Sequence, residues 1–210
     1  MLIRYIVVVL TAYLLGGINP AIELSKAVLG KDIRTLGSGN PGSSNVQRVM
    51  GGKWAALVVL LDFSKAAVAI LFAQFLCAGF DFEAGMMIRL MAGTAAIIGH
   101  IWPVWYGFKG GKGVMTAAAT ALFFHPLLLL VCLAVFVAIV AATRYISLGS
   151  MISNAVFPVL CYIFYPDRLT YKILAILIPL LVIVKHRSNI IRLFNHTENK
   201  LSFKKKPKPE

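Results

Sequence analysis

The sequence predicts an all-α, polytopic integral membrane protein of seven transmembrane helices, one or two of them short or partial, with its N-terminus outside and its C-terminus cytoplasmic. Three observations carry that prediction. First, 59% of the 210 residues are apolar and only 14% are charged, where a soluble domain runs nearer half apolar and a quarter charged. A mean hydropathy of +0.81 agrees. Second, the apolar residues fall into long unbroken stretches, which excludes an ordinary soluble enzyme, a disordered chain and a secreted disulfide scaffold. Third, the charges are sorted between those stretches by sign.

The stretches run Tyr5–Leu29, Trp54–Gly79, Met86–Ile101, Val114–Thr143, Ser150–Tyr165 and Thr170–Val184. The first lacks a small-residue cleavage signature and reads as a retained span rather than a signal peptide. Its loop, Gly30–Lys53, carries Lys31, Arg34, Arg48 and Lys53 against Asp32. The segment Lys185–Glu210 carries eight Lys and Arg against Glu198 and Glu210. Both belong on the cytoplasmic side, and the acidic Phe80–Gly85 loop belongs outside. A cytoplasmic first loop and a cytoplasmic tail demand an odd number of crossings, so six fails.

The seventh helix hides in Val114–Thr143. His125-Pro126 sits in its middle, and proline disfavours helix in the residue before it. A turn there divides the stretch into Val114–Phe124 and Leu127–Thr143. The first piece has eleven residues, roughly 16 Å at ~1.5 Å per residue, and is a partial span buried against its neighbours. Removing the loop between the last two spans instead would give five. The whole chain, 1–210, reads as one membrane-embedded domain with 201–210 a basic cytoplasmic tail. Cys77, Cys132 and Cys161 lie singly in apolar stretches and read as packing residues.

A net charge of +13 in a soluble chain would suggest nucleic acid. In a membrane protein it points instead to anionic headgroups or a phosphorylated substrate, and no nucleic acid is expected. The polar stretches on the cytoplasmic side bear this out. Gly37-Ser-Gly-Asn-Pro-Gly-Ser-Ser-Asn45, followed by Arg48, has a backbone free to take positive φ and aim N–H groups, hydroxyls and amides at an anion. A helix starting near Ser43 or Ser44 adds a favourable dipole.

A second stretch flanks Lys112 with Gly110, Gly111 and Gly113, so a phosphate can approach the backbone beside an ammonium. It is not a nucleotide P-loop, because Gly and not Ser or Thr follows Lys112. His100 ends the preceding apolar stretch, and Trp102, Trp105 and Tyr106 fit an interfacial aromatic belt. In a third stretch His186, Asn189 and Arg192 recur at helical spacing and share a face. The last stretch, Phe203-Lys-Lys-Lys-Pro-Lys-Pro, reads as a headgroup-binding tail. Glu23 with Lys26, and Asp62 with Lys65, are i,i+3 neighbours within spans and read as internal ion pairs. Arg144, Ser147 and Ser150 form a further cytoplasmic cluster.

These three stretches, in this order, resemble the acyl-phosphate-dependent glycerol-3-phosphate acyltransferases of bacterial membranes, the PlsY type. The family motif GSGNxGATN corresponds to Gly37–Asn45, with Ser43-Ser44 in place of Ala-Thr. GHxxPxxxxFxGGKG is present in full from Gly99 to Gly113. HxxNIxRLxxGTExK matches His186 to Lys200, with His196 where Gly is usual. Asn19-Pro20 for Ile-Pro, Ala66 for Gly and Met115 for Ala are further departures.

The resemblance implies seven membrane helices in the bacterial inner membrane and an active site facing the cytoplasm. The implied reaction moves a fatty acyl group from acyl phosphate to the 1-hydroxyl of sn-glycerol 3-phosphate, giving lysophosphatidate and phosphate. It implies catalytic roles for Ser38, His100, Lys112 and Asn189. Substrate binding falls to Gly37, Gly39, Asn40, Gly42, Asn45, Arg48, Gly110, Gly111, Ser147 and His186. Ser38, Asn40, Gly42 and Asn45 are assigned to acyl phosphate; Arg48, Lys112, Ser147, Asn189 and His186 to glycerol phosphate. No metal cluster is visible, and the expected reaction asks for no cofactor. Membrane lipid is an expected partner, and a soluble enzyme that makes acyl phosphate is a candidate to dock on the basic face. A transporter of a phosphorylated solute is the rival class. It would show repeat symmetry and midplane binding residues, and this sequence shows neither.

Overall fold

The computed structural model describes residues 2–79 and 81–201, and the lysine-rich tail expected after them lies outside the described residues. Among the described residues ten α-helices follow one another: α1 (Leu2–Gly17), α2 (Pro20–Leu29), α3 (Ser43–Val49), α4 (Gly52–Leu76), α5 (Phe82–Ile101), α6 (Val114–Phe124), α7 (Pro126–Thr143), α8 (Ile146–Phe164), α9 (Leu169–Lys185) and α10 (Arg187–Phe194). Among the described residues there is no strand. Five segments are long and apolar enough to cross a membrane: Leu2–Leu29, Gly52–Leu76, Phe82–Tyr106, Pro126–Thr143 and Ile146–Phe164. The pair α9 and α10, bent by 59°, makes a sixth if counted as one span.

The boundary at His125-Pro126 falls where the sequence puts it. His125 is extended (φ −159°, ψ 109°) and Pro126 occupies the first turn of α7, where a missing N–H costs nothing. The expected first span, Tyr5–Leu29, falls within the candidate span Leu2–Leu29, but its helix is interrupted at Ile18-Asn19. Pro20 has no N–H to continue the helix, and the Asn19 side chain accepts from Ile22 N at 3.1 Å to restart it. The expected Phe80–Gly85 loop is shortened as well. Asp81 caps α5 by accepting from Ala84 N at 2.8 Å, so Phe82–Gly85 is already helix.

Helix α5 is the hub, packed on α1, α4, α6 and α9. Its contact with α1 needs small residues, because apolar side chains gain little from leaving lipid for each other. A Cβ on Gly16 would lie 2.2 Å from Ala96 O, and one on Gly99 would lie 2.1 Å from Tyr13 O. Helix α7 is the opposite case, with only Leu128 buried.

Of the two expected ion pairs, Asp62 and Lys65 meet at 2.8 Å. Glu23 and Lys26 do not pair. The Tyr106 hydroxyl donates to Glu23 Oε1 at 2.8 Å, and Lys26 Nζ lies over the Tyr106 ring, 5.8 Å from its centroid. The aromatic side chain between them gives each a partner that leaves its charge near water.

Candidate active site

The first loop is shaped from within. Asn45 is fully buried, and its carboxamide accepts from Ser38 N at 2.9 Å while donating to Ile33 O and Leu36 O. Its side chain thus holds the loop in shape from within, and its Oδ1 also lies 3.4 Å from Arg48 Nη2. Gly37 and Gly39 have φ of +57° and +71°, and a Cβ on Gly37 would sit 2.3 Å from Asn45 Oδ1. Helix α3 starts at Ser43, as expected, and carries Arg48 back over the loop, where it donates to Ser38 Oγ at 2.8 Å. Residues assigned from the sequence to two different substrates are therefore in direct contact.

The second loop is tied to the first by Arg34. This guanidinium pairs with Asp32 at 2.7 Å and donates to Tyr106 O and Lys109 O at 2.9 and 3.2 Å. The Arg34 guanidinium also holds the Asp32 carboxyl below its usual range. A cleft of about 640 Å³ opens between the loops, lined by Gly39, Pro41, Lys109, Gly110 and Lys185 among others. Gly110 and Gly111 are required by packing. A Cβ would lie 2.0 Å from His100 O at position 110 and 2.3 Å from His100 Nε2 at position 111. This packing demand stands beside the expected reason, close approach of a phosphate to the backbone.

The third stretch turns back onto the others. Helix α10 ends in a left-handed residue, His196 (φ +57°), and Thr197 N and Glu198 N both donate to Arg192 O. The side chain at the position where the family has Gly therefore adopts the conformation that glycine takes most easily. Leu201 N then donates to Arg144 O at 2.7 Å, closing the segment on the corner between α7 and α8.

That closure brings Glu198 into the centre of the site. Its Oε1 accepts from Ser147 Oγ and Asn189 Nδ2, both at 2.7 Å, and its Oε2 accepts from Arg192 Nε at 2.7 Å. The Lys112 ammonium donates to Asn189 Oδ1. Burial pulls Lys112 down to about 8; Glu198 opposes the shift, and Arg192 and Arg48 add to it. Burial pushes Glu198 up, but hydrogen bonds from Asn189, Ser147 and Arg192 win and hold it below the usual carboxylate range. Burial lowers Arg48 as well, offset by Glu198.

The fold thus gathers Ser38, Arg48, Lys112, Ser147 and Asn189, with Gly39 and Gly110 on the adjoining cleft. His186 is buried, with Nδ1 2.8 Å from Val182 O, and lies within electrostatic reach of Lys112. Asn40 and Gly42 lie in the same first-loop turn, where Gly42 N donates to Asn40 O at 3.0 Å. His100 stands apart, 5% exposed and facing Asp62 and Lys65. Glu198 and Arg192 belong to the third motif, and Arg192 to its shared face, but the sequence reading gives neither a role in the site. The signal was a single carboxylate amid the cations of Lys185–Lys200. Among the described residues no three His, Cys, Asp or Glu side chains group as a metal site.

Fold and site define an integral membrane protein with a cation-rich polar centre suited to phosphorylated ligands. Comparison with known proteins sharpens that class. The chain belongs to the glycerol-3-phosphate acyltransferase family, whose model matches residues 6–196. A glycerol-3-phosphate acyltransferase of Clostridioides difficile (strain 630) is 40% identical over 207 residues, covering 96% of this chain and 97% of the relative. The crystal structure of PlsY (YgiH), an integral membrane glycerol 3-phosphate acyltransferase, in its glycerol 3-phosphate form is 34% identical. It superposes with a TM-score of 0.85 over 94% of this chain and 96% of that one. The lysophosphatidic acid form of PlsY gives 32% identity and a TM-score of 0.81 over 94% and 95%.

Proposed function

We propose that this protein transfers a fatty acyl group from acyl phosphate to the 1-hydroxyl of sn-glycerol 3-phosphate, the first acylation of phospholipid synthesis. One observation carries the reading of the acceptor. Arg192 pairs with one carboxylate, Glu198; Lys112 joins it through Asn189 and Arg48 lies within its electrostatic reach, so three cations against one anion leave a formal +2. A phosphate monoester dianion supplies the missing −2. The relatives solved with glycerol 3-phosphate and with lysophosphatidic acid support the same acceptor and product.

In this reading Arg48, Lys112, Ser147, Asn189 and His186 hold glycerol 3-phosphate. The donor's phosphate lies against the first loop at Ser38, Asn40, Gly42 and Asn45, beside the cleft that Lys109 and Lys185 line. The donor's chain runs into the apolar helices. The acceptor's 1-hydroxyl attacks the carbonyl carbon, and the bond from that carbon to the phosphate oxygen breaks. The hydroxyl proton passes to a phosphate oxygen, so the products are the ester and hydrogen phosphate. A mixed anhydride already has a good leaving group, so no acyl-enzyme is needed. Positioning and charge stabilisation provide the catalysis.

Residues 1–210 form one acyltransferase domain in the bacterial inner membrane, with the site facing the cytoplasm. Seven crossings follow if α6 is the partial one, since it is apolar and packs against α4 and α5. The same basic face suits docking of a soluble enzyme that forms acyl phosphate.

The test is phosphate release from purified protein in detergent, given palmitoyl phosphate with and without glycerol 3-phosphate. Release that requires glycerol 3-phosphate, with matching lysophosphatidate, is the expected result. Product from acyl-CoA or acyl carrier protein, and none from acyl phosphate, would discard the donor and keep the acyltransferase.

A further inference from the structure

Beneath the two loops lies a buried polar cluster that the proposed reaction does not use. The Lys65 ammonium lies 2.6 Å from Ile18 O and 2.8 Å from His100 Nδ1, and it forms an ion pair with Asp62 Oδ1 at 2.8 Å. Its side chain is 8% exposed, and that of Asp62 6%. Ile18 O is a carbonyl at the break between α1 and α2, left without a helical donor because Ile22 N turns to Asn19 O, and within a membrane a carbonyl needs a donor from the protein. Lys65 therefore repairs the break from the neighbouring helix.

The cluster reaches both loops. On the far side of the His100 ring, Nε2 fills the space where a Cβ on Gly111 would stand, and the same Cβ would lie 3.1 Å from Pro41 O. Pro41 O accepts from Asn19 Nδ2 at 3.3 Å, and Asn19 is the residue after Ile18. The helix break, the first loop at Pro41 and the second loop at Gly111 are thus packed around one imidazole.

We propose that Lys65, His100 and Asn19 are positioning residues that set how the two loops face each other, and that His100 takes no proton from substrate. The proposal rests on the acyltransferase reading above. Asp62 Oδ1 lies 3.3 Å from His100 Nδ1 and the Lys65 ammonium 2.8 Å from it; an ammonium only donates, so beside a charged Lys65 we assign Nδ1 as acceptor and the ring proton to Nε2. Neither ring nitrogen then offers a free lone pair to a substrate hydroxyl. What the ring does offer is shape. It seats Gly111, and the next residue is Lys112. A shift of about 1 Å in such a group costs on the order of a hundredfold in rate.

The experiment measures kcat and KM for both substrates from about pH 5.5 to 9, on folded, monodisperse protein in detergent. The variants are His100→Asn, Asn19→Leu and the double variant Asp62→Asn with Lys65→Met, which leaves no buried charge unpaired. All three are expected to raise KM for glycerol 3-phosphate or acyl phosphate about tenfold or more. The kcat profile of His100→Asn is expected to keep the wild-type shape with pH. Loss of a titrating limb in His100→Asn with KM unchanged would make His100 the proton acceptor and overturn the proposal. Wild-type kinetics in both Asn19→Leu and the double variant would overturn it too. Glycerol 3-phosphate binding, measured directly on the same proteins, separates this from a wrong donor. If the wild type fails to turn over acyl phosphate, weaker binding in the variants still supports the brace, and unchanged binding refutes it.

Discussion

Ser147 Oγ donates to Glu198 Oε1 at 2.7 Å, joining the first turn of α8 to the segment that follows α10. With Asn189 and Arg192 on the same carboxylate, Glu198 is the point where the third stretch meets the rest of the site. Its partners are two neutral groups and a guanidinium, so its charge is left to act on Lys112 and Arg48 as well.

Replacing Glu198 with Gln keeps the shape and removes the charge. Leaving hydrogen-bonded cations without their anion is expected to cost on the order of 2–4 kcal/mol. Thermal unfolding in detergent reads this as a lower Tm. The same variant removes the influence that raises Lys112, so any pH limb owed to Lys112 moves to lower pH.

The sign of the pH dependence follows from Lys112 at about 8. Below that value the ammonium is charged and pairs with phosphate; above it the group is neutral and the pair is lost. Glycerol 3-phosphate becomes a dianion above roughly pH 6. KM for glycerol 3-phosphate is therefore expected to be lowest between these limits and to rise as pH passes 8. A KM that stays flat to pH 9.5 (about 1.5 units beyond) would exclude Lys112 from phosphate binding.

Arg48→Ala and Lys112→Ala are each expected to lower kcat/KM by roughly 10²–10³ in protein that remains folded. Lys112→Arg is expected to restore little, because a planar guanidinium cannot replace a compact ammonium seated against Asn189. Near-normal turnover in both alanine variants would remove the site from the reaction.

Most of the fold was legible because its signals are local. Apolar length and the proline after His125 each act over a few residues. The break at Ile18-Asn19 was not, since Pro20 tolerates either a kink or a stop, and the choice depends on Lys65 arriving from another helix. The loop residues stand out by type, but the contact between Arg48 and Ser38 is not legible, because they meet only after α3 folds back. The bracing of the loop by Asn45 is hidden for the same reason. An amide fits a phosphate and a backbone equally well.

His196→Gly removes a side chain from a left-handed residue and is expected to stabilise the protein by about 0.5–1 kcal/mol. The measurement is Tm with and without the substitution, alongside kcat, which should not fall. A lower Tm would mean that the imidazole itself contributes more than the strain it brings.

The hydrogen bond from Leu201 to Arg144 makes a ring of the last third of the protein, with α8, α9 and α10 as its links. A ring closed by so few residues at its clasp opens more readily than the helices melt. Warming should therefore unfasten the site well before the bundle unfolds, so that activity fades reversibly at temperatures where helix content is still complete. Anything that braces residues 196–201 from outside, such as a headgroup or a docked protein, would then act as a thermostat on the enzyme.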